Sequence, residues 1–323
     1  MMNIVVFDTA IGSGNLGDQI IMESVFKEIS TLFPEAFIFQ VPTHSQIGND
    51  GRRLLREADY IFAGGTNLLF SRWSRQRQWR LEFKDLAAAG AKTILMGTGW
   101  TDYQSSPDWR ARYAYKRLLA RHALHSLRDS YSVSHLRGCG FQNAVNTGCP
   151  TLWDLTDLRA LNVSVGKPDT VVTTLTDYRQ APEHDRAMLE ILKARYRRVL
   201  VWIQGSNDLD YICGLGVAGL EMVNPSLKAF DAVLSSAPPV DFVGTRLHAG
   251  IRALQKRRRA LILSVDNRAR EMGKDFNLPV IERGDINALE QHLDHWPQLD
   301  IRLPRDEIAA WRAQFHRPRS AGA

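Results

Sequence analysis

Short apolar runs alternate along the chain with segments whose apolar residues recur at helical spacing. Apolar runs of strand length predict buried strands, and the helical segments between them predict the crossover helices of a mostly parallel sheet. The alternation occurs once in each half of the chain, so it predicts an α/β protein with two sheets, each covered by helices on both faces. The predicted strands are Ile4–Asp8, Tyr60–Ala63, Thr93–Met96 and Ala123–Leu127 in the first half, and Val171–Thr174, Val199–Ile203, Val240–Val243, Leu261–Val265 and Val280–Ile281 in the second.

The alternation of predicted strands and helices is interrupted once, at residues 147–168. Thr147-Gly148-Cys149-Pro150 and Gly166-Lys167-Pro168 bracket a segment of little periodicity there. A chain of 323 residues is long for one domain, so we place a domain boundary at this break. The predicted domains are residues 1–155, residues 165–303 and a C-terminal helix (Pro304–Phe315) with a frayed tail (Arg317–Ala323) over residues 304–323. The predicted helices include Gln19–Leu32, Trp109–Ala120, Arg186–Tyr196 and Asn224–Ser235.

Composition limits the class of protein. Hydrophobic residues make up 44% of the chain and charged residues 24%, which is typical of globular domains. No apolar run is long enough for a transmembrane helix, and the N-terminus lacks the basic leader and cleavage site expected of a signal peptide. Cys139, Cys149 and Cys213 lack the spacing of metal ligands and cannot all pair, so we expect no metal site and a reducing, cytoplasmic environment.

The net charge of +6 is concentrated in residues 72–128, which contain twelve Lys or Arg and four Asp or Glu. Such an excess suits an anionic ligand or surface, and no nucleic-acid-binding motif accompanies it, so no nucleic-acid partner is predicted. Within this region, residues 72–80 interleave cations with Trp73 and Trp79. Three interpretations of residues 72–80 stay open: peripheral contact with an anionic membrane, packing of the tryptophans on the domain core, and a lid over the acceptor site.

Glycine-rich and polar clusters follow several of the predicted strands, where a parallel sheet opens onto its ligand crevice. Residues 12–18 come after the first strand and open a helix, so their backbone N–H groups could bind an anion. The structural alternative is a tight turn with Asp18 as the helix cap. This loop matches neither the dinucleotide fingerprint nor the P-loop. The other clusters are Gly64-Gly65-Thr66-Asn67, Gly97-Thr98-Gly99, Gln204-Gly205-Ser206-Asn207-Asp208 and Asp266-Asn267-Arg268.

Two predicted strand ends carry an arginine. Arg128 precedes Asp129-Ser130, a pair suited to a helix start, and Arg246 lies two residues before His248. Arginine offers a planar donor fork for carboxylate or phosphate, and histidine exchanges protons near neutral pH. Arg246 and His248 therefore predict a site for an anionic substrate that needs proton transfer. The alternative is a solvated arginine beside a histidine with no role in chemistry.

Four blocks occur in one order along the chain: Asn15-Leu16-Gly17-Asp18 with Ile21, Gly64-Gly65, Arg128-Asp129-Ser130 with Gly138, and Gly244-Thr245-Arg246-Leu247-His248 with Ile251. Over most of residues 3–290 the chain thereby resembles the polysaccharide pyruvyl transferase family. The resemblance implies two facing Rossmann-like domains of glycosyltransferase-B type with an interdomain cleft. It also implies transfer of the enolpyruvyl skeleton of phosphoenolpyruvate onto two sugar hydroxyls, giving a pyruvate ketal and phosphate.

The resemblance assigns residue roles as well. Arg128 and Arg246 match the donor-binding arginines of the family, and His248 matches its catalytic histidine. Two arginines suit the carboxylate and the phosphate of the donor, and a histidine beside them can act as general acid. Asp18 or Asp208 could supply a carboxylate near the developing positive charge. The further residues expected in the cleft are Asn15, Gly17, Asp18, Gly64, Gly65, Thr66, Gly97, Thr98, Gln204, Asp208 and Arg268.

The same resemblance sets the expected partners. Phosphoenolpyruvate is a co-substrate, and no cofactor is expected. The acceptor is expected to be a lipid-linked sugar or a polysaccharide precursor, which would bring the cytoplasmic enzyme to the inner face of the membrane.

The chain departs from the family pattern at two places. Cys149-Pro150 stands where members often carry aspartate–proline, and Arg268 after Asp266-Asn267 stands where a lysine usually follows tyrosine–aspartate. The first departure bears on the linker, and the second on the acceptor or phosphate side of the cleft. Two other functions stay open. One is a glycosyltransferase or sugar-nucleotide enzyme of the same fold, and the other is a non-catalytic carbohydrate-binding relative.

Overall fold

The computed structural model describes residues 1–73, 78–155, 168–296 and 298–316. The chain forms two compact units. The first unit comprises Met1–Ser13, Ile21–Trp153 and Leu303–Ala323, and the second comprises Gly14–Ile20 and Asp154–Arg302. Residues 156–167 of the predicted linker and the predicted frayed tail lie outside the described residues, and the predicted domain bounds stay predictions.

The first unit is built on a parallel sheet with the strand order β2-β1-β3-β4. Its central strands are continuous runs of Val, Ile and Phe, as expected where helices cover both faces of a sheet. A shorter parallel pair, β5 and β6, packs beside β4. The strands are β1 (Asn3–Asp8), β2 (Phe37–Pro42), β3 (Tyr60–Gly64), β4 (Thr93–Met96), β5 (His125–Leu127) and β6 (Ala144–Asn146). The helices are α1 (Leu16–Leu32), α2 (Asn49–Glu57), α3 (Phe83–Ala89), α4 (Trp109–Leu118) and α5 (Ser130–Gly138).

The second unit contains a parallel sheet of six strands in the order β12-β11-β10-β7-β8-β9. Successive strands extend the sheet in one direction from β7 to β9 and in the other from β10 to β12, so the order switches between β7 and β10. The strands are β7 (Thr170–Thr173), β8 (Arg198–Trp202), β9 (Leu220–Val223), β10 (Asp241–Gly244), β11 (Ala260–Ser264) and β12 (Val280–Glu282). The helices are α6 (Pro182–Arg195), α7 (Asp208–Gly214), α8 (Leu227–Leu234), α9 (Leu247–Gln255), α10 (Asn267–Phe276) and α11 (Ile286–Asp294).

The last helix, α12 (Arg305–Ala313), belongs to the first unit. Its Trp311 is fully buried and donates a hydrogen bond from Nε1 to the carbonyl oxygen of Leu95 at 3.2 Å. Phe315, just after the helix, places its ring 5.4 Å from that of Phe62 on β3. The C-terminal residues therefore complete the core on one face of the first sheet.

The aromatic residues of the basic segment 72–80 pack inward. Trp79 is 1% exposed, and its ring meets Phe7 edge-on at 5.1 Å between centroids. Trp73 packs against Phe70, which belongs to the same core. These contacts favour the core-packing interpretation of both tryptophans, while residues 74–77 lie outside the described residues. Over the part of the chain that the structure describes, no helix combines the length and the hydropathy needed to cross a membrane.

Candidate functional site

The second unit brings the ends of β7 and β10 together at the point where its strand order switches. Gly244, the last residue of β10, allows this close approach, because a Cβ atom there would lie 2.6 Å from Thr174 Oγ1. Thr245 N then donates to Thr174 O at 2.9 Å, and the hydroxyls of Thr245 and Thr176 lie 2.8 Å apart. In open α/β sheets a ligand binds at such a switch point, beyond the carboxyl ends of the strands.

Arg246 leaves β10 at this edge as the N-cap residue of α9. Its side chain is 4% exposed. Nε donates to Leu175 O at 2.9 Å, and Nη2 donates to Asp177 Oδ1 at 2.8 Å and to Asp208 Oδ1. The guanidinium carbon lies 5.1 Å from the ring centroid of Tyr178, a cation–π contact. Nη1 makes no hydrogen bond to the described residues, so one nitrogen of the fork stays available to a ligand.

The two carboxylates beside Arg246 differ in their affinity for a proton. Asp208, the first residue of α7, is fully buried and accepts a hydrogen bond from Gly205 N at 2.6 Å. Burial raises the pKa of Asp208 even though the charge of Arg246 opposes the shift. Burial acts in the same direction on Asp177, but its hydrogen bond with Asp208 and the charge of Arg246 outweigh it and lower that pKa. Asp208 is therefore the carboxyl of the pair that holds a proton more readily.

A second arginine flanks Tyr178. The guanidinium carbon of Arg268 lies 5.8 Å from the Tyr178 ring centroid, and Nη2 donates to the Tyr178 hydroxyl. Asp266, the N-cap residue of α10, accepts from Arg268 Nε at 3.0 Å and from Nη2 at 2.5 Å. Burial lowers the pKa of Arg268, but the charges of Asp266, Tyr178 and Asp18 outweigh burial and raise that pKa. Asp18 and Arg268, both predicted from the sequence, thus interact electrostatically within the second unit.

The N-terminal loop packs on the loop that follows β8, and both belong to the second unit. Leu16 N donates to Gln204 O at 2.9 Å, and Gln204 Nε2 donates to Asn15 Oδ1 at 2.7 Å. A Cβ atom on Gly17 would lie 2.8 Å from Gln204 Nε2, so a larger residue there would displace the end of the Gln204 side chain. The loop after β8 also carries Asp208, so these hydrogen bonds link the N-terminal loop to the partner of Arg246.

His248 is the second residue of α9 and is 4% exposed. Because α9 begins at Leu247, directly after Arg246, the imidazole is held in the first helical turn at the carboxyl edge of the sheet. The second unit therefore contains three residues predicted from the sequence, His248, Arg246 and Arg268, at the starts of α9 and α10.

Arg128, in the first unit, is enclosed. It is fully buried, with Nη1 donating to Asn67 Oδ1 at 2.6 Å and Nε donating to Asp129 Oδ2 at 3.1 Å. A Cβ atom on Gly99 would lie 2.2 Å from its guanidinium carbon, so any larger residue there would force the guanidinium to move. Nη2 is buried and has no hydrogen-bond partner among the described residues. The donor-binding role of Arg128 stays a prediction.

Packing explains the other glycines at the strand ends of the first unit. Gly65 has a φ of +60°, and a Cβ atom there would lie 2.0 Å from Ile21 Cγ2 on α1. Gly64 packs in the same way against Val25. A Cβ atom on Gly97 would lie 2.3 Å from Pro150 Cδ. The neighbouring polar residues have structural contacts as well: Thr98 Oγ1 donates to Ala63 O at 2.7 Å, and Thr66 is 5% exposed with a φ of 45°.

Sequence reasoning did not select Asp177 and Tyr178, which contact Arg246 and Arg268 directly. A signal was present, because both residues follow the threonine-rich segment Thr173–Thr176 at the carboxyl end of a strand. Among the described residues, no group of three or more His, Cys, Asp or Glu side chains is placed to hold a metal ion.

The chain is similar to one protein family and to several solved structures. A family model described as polysaccharide pyruvyl transferase matches residues 15–267. No curated protein sequence matches the chain significantly. Among solved structures, UDP-GlcNAc 2-epimerase from Neisseria meningitidis bound to UDP-GlcNAc is similar, with a TM-score of 0.51 and 13% identity over 97% of this chain and 100% of that chain.

Two further solved structures have lower TM-scores. A putative UDP-N-acetylglucosamine 2-epimerase from Listeria monocytogenes has a TM-score of 0.47 and 11% identity, over 90% of this chain and 87% of that chain. The S. aureus MnaA structure with UDP has a TM-score of 0.46 and 10% identity, over 91% of this chain and 88% of that chain. The Neisseria structure shows the fold, and the predicted α/β class of glycosyltransferase-B type with mostly parallel sheets is confirmed.

Proposed function

Because the chain belongs to the polysaccharide pyruvyl transferase family, we propose that it transfers pyruvate from phosphoenolpyruvate onto two hydroxyls of a sugar. The product is a cyclic pyruvate ketal, and phosphate is released. The observation that carries this proposal is the cluster of Arg246, Tyr178 and Arg268 at the switch point of the second unit, with His248 in the adjacent helical turn. Phosphoenolpyruvate offers a carboxylate and a phosphate, the two anions that arginine binds through paired hydrogen bonds.

In the proposed reaction, His248 donates a proton to the methylene carbon of phosphoenolpyruvate, which becomes the methyl group of the ketal. The neighbouring carbon then carries positive charge and is attacked by one sugar hydroxyl oxygen. The bond from that carbon to the phosphate oxygen breaks, and the second hydroxyl oxygen takes its place. Of the two hydroxyl protons, one replaces the proton that His248 donated, and the other leaves bound to phosphate. General acid catalysis by a placed histidine contributes about 10²–10⁴-fold in rate.

The carboxylates of the second unit can stabilise the positive carbon. Asp208 accepts a hydrogen bond from Arg246, and burial raises the pKa of its carboxyl. Asp18 interacts with Arg268 from the first turn of α1. Asp18 and Asp208 therefore remain the two candidate carboxylates, with Asn15, Gly17 and Gln204 holding the start of α1 in place.

Arg128 is the second proposed donor-binding residue. A buried guanidinium nitrogen without a hydrogen-bond partner is costly unless a ligand or water accepts its hydrogen. The unpaired Nη2 of Arg128 thus supports an anion-binding role within the first unit.

We propose a lipid-linked sugar or polysaccharide precursor as the acceptor, and no cofactor besides the co-substrate. The proposed location is the cytoplasm, at the inner face of the membrane. Cys139, Cys149 and Cys213 form no disulfide bond, which is consistent with a reducing compartment.

The proposal is tested by incubating the purified protein with phosphoenolpyruvate and a panel of lipid-linked and nucleotide-linked sugars while phosphate release is measured. His248→Ala should lower turnover by about 10²–10⁴-fold, because the general acid is lost. The matched control is His184→Ala, since His184 also lies in the first turn of a helix of the second unit but is exposed.

Near-normal turnover of a folded His248→Ala protein would remove His248 from the chemistry. Turnover of a UDP-sugar without phosphate release from phosphoenolpyruvate would instead favour a sugar-nucleotide enzyme of the same fold.

A further inference from the structure

The outward face of α4 combines aromatic rings with cations. The helix buries Ala111, Ala114, Tyr115 and Leu118 against the core of the first unit, and its sequence contains no Asp or Glu. Trp109 is 71% exposed and Tyr113 is 50% exposed, although both are large and mostly apolar. The exposed residues of α4 are Trp109, Arg110, Arg112, Tyr113, Lys116 and Arg117.

These residues form one surface because of their spacing. Trp109, Tyr113 and Arg117 follow each other at intervals of four residues, which aligns them along one side of a helix. The guanidinium carbon of Arg110 lies 5.2 Å from the ring centroid of Trp109, so a cation is paired with the most exposed ring. Asp108, just before the helix, is the N-cap residue and accepts from Ala111 N at 2.7 Å, so its carboxylate is turned to the backbone.

A cavity of about 290 Å³ lies at the C-terminal end of the same helix. It is lined by three cations from α4 and the turn after it, and by residues of α3 and its end that include Leu86 and Ala87. Cations beside apolar side chains match a phosphate group attached to a hydrocarbon chain. The lining cations are Lys116, Arg117 and Arg121.

We propose that α4 is a peripheral membrane-docking surface that lies on a bilayer of anionic phospholipid. Tryptophan and tyrosine favour the interface between headgroups and acyl chains, and lysine and arginine favour a negatively charged leaflet. The cavity beside Lys116 and Arg117 accommodates a lipid phosphate. The surface uses none of the residues of the transfer reaction and replaces segment 72–80, whose two tryptophans lie in or against the core, as the membrane contact.

The proposal is tested by flotation of the purified full chain with vesicles of phosphatidylcholine alone or of phosphatidylcholine mixed with phosphatidylglycerol. The protein should float with the anionic vesicles only, and high salt should release it, because the screening length falls from ~8 Å at 0.15 M to ~3 Å at 1 M. Trp109→Ala/Tyr113→Ala and Arg110→Glu/Arg117→Glu should each lower the bound fraction at least about tenfold.

Matched control variants distinguish vesicle binding by this surface from nonspecific binding through exposed aromatic rings or through net charge. Phe37→Ala removes an exposed ring, 55% exposed, from the edge strand β2 of the same unit. Lys228→Glu/Lys274→Glu makes the same charge change on exposed helix positions of the second unit. Both controls should float like the parent protein and, like the α4 variants, should keep phosphate release from a water-soluble acceptor.

Three results would overturn the proposal: no flotation with anionic vesicles, flotation unchanged by both α4 variants, or equal loss in the controls. Self-association that Trp109→Ala abolishes, without any flotation of the parent, would show that the surface binds a second copy of the chain instead. Loss of phosphate release in all proteins, with flotation preserved, would count against the transfer reaction and not against the docking surface.

Discussion

The two strand-end arginines share a sequence pattern but lie in different surroundings. Arg128 follows β5 and Arg246 follows β10, and each packs against a glycine. A Cβ atom on Gly99 would lie 2.2 Å from Arg128 Cζ, and one on Gly205 would lie 2.4 Å from Arg246 Nη2. Arg128 has one carboxylate, one amide and an unpaired nitrogen, whereas Arg246 has two carboxylates and an aromatic ring.

The position of each arginine relative to the following helix explains the difference. Arg128 precedes the N-cap residue of α5, Asp129, which binds both the helix and the arginine. Arg246 is itself the N-cap residue of α9 and makes no side-chain cap bond, so its guanidinium reaches the loops after β7 and β8. Arg128 thus bonds to the adjacent cap residue and to Asn67 after β3, whereas Arg246 bonds to the loops after β7 and β8.

The largest difference should appear when each arginine is replaced by methionine. Arg246→Met leaves the buried carboxyl of Asp208 and its neighbour Asp177 without their cation, so the free energy of unfolding should fall by about 3–5 kcal/mol. Arg128→Met should cost less, toward about 3 kcal/mol, because it leaves one carboxylate, Asp129, without its cation instead of two. Hydrogen exchange followed by mass spectrometry measures the loss separately in peptides of β10 and β5.

Asp208→Asn in the Arg246→Met background is the control for this prediction. Neutralising the buried carboxyl should restore part of the lost protection if uncompensated charge is the cause. Equal losses of stability in the two methionine variants, or a larger loss in Arg128→Met, would contradict the prediction.

The strands that precede the two arginines, β5 and β10, should also differ in how acid changes the stability around them. β5 begins at His125, which is fully buried and whose pKa burial lowers to about 4 from the ordinary 6.5. Between these values the unfolded chain binds a proton that the folded chain does not. The free energy of unfolding of the first unit should therefore fall as the pH drops from 6.5 to about 4, by up to about 3 kcal/mol.

β10 begins instead at Asp241, whose carboxylate accepts two hydrogen bonds at 2.7 Å from Arg259 and one at 2.7 Å from Tyr196. Urea unfolding at a series of pH values measures the slope, and NMR titration of the imidazole measures the pKa of His125 directly. His125→Gln should flatten the slope, while His122→Gln, an exposed neighbour, should leave it unchanged. A pKa near 6.5 for His125 would contradict the prediction.

The smallest effect should come from adding one methyl group beside each arginine. Gly99→Ala and Gly205→Ala force the guanidinium of Arg128 or Arg246 to move, at a cost of about 1–3 kcal/mol. Because the arginines shift while the fold persists, affinity for phosphoenolpyruvate, measured by calorimetry, should weaken in both. Gly138→Ala and Gly214→Ala are the matched controls, since no atom lies within 4 Å of a Cβ at either position.

Unchanged affinity in Gly205→Ala would remove Arg246 from the donor site, and unchanged affinity in Gly99→Ala would do the same for Arg128. One affected variant and one unaffected variant would assign donor binding to a single unit.

Most of the strands that the sequence predicted are buried on both sides, because a continuous apolar run marks them. β1, β3, β4, β5, β7, β8, β10, β11 and β12 all fall on predicted runs, although β12 lies at a sheet edge, whereas β2, β6 and β9 were missed. β2 and β9 lie at sheet edges and contain exposed polar residues, Gln40 and Glu221, so their pattern is not uniformly apolar. β6 has only three residues, too few for a periodic signal.

The site could be predicted only where residues adjacent in sequence remain adjacent in space. Arg246 and His248 share one strand-to-helix turn, which a local motif can indicate. The contacts of Arg128 with Asn67 and of Arg246 with Asp208 join residues 61 and 38 positions apart. Such pairings depend on strand order and loop path, which hydrophobic periodicity does not specify.

The placement of α12 in the first unit has a consequence for synthesis of the chain. Phe33, Tyr60 and Phe62 pack on Phe315, so these rings lack part of their cover until Phe315 has been synthesised. At roughly 5–20 residues per second, the ~250 residues that separate Phe62 from Phe315 take on the order of tens of seconds to make. During that interval the three rings of the nascent first unit are without this contact. We therefore expect chaperones to bind the growing chain at these rings until Phe315 has left the ribosome.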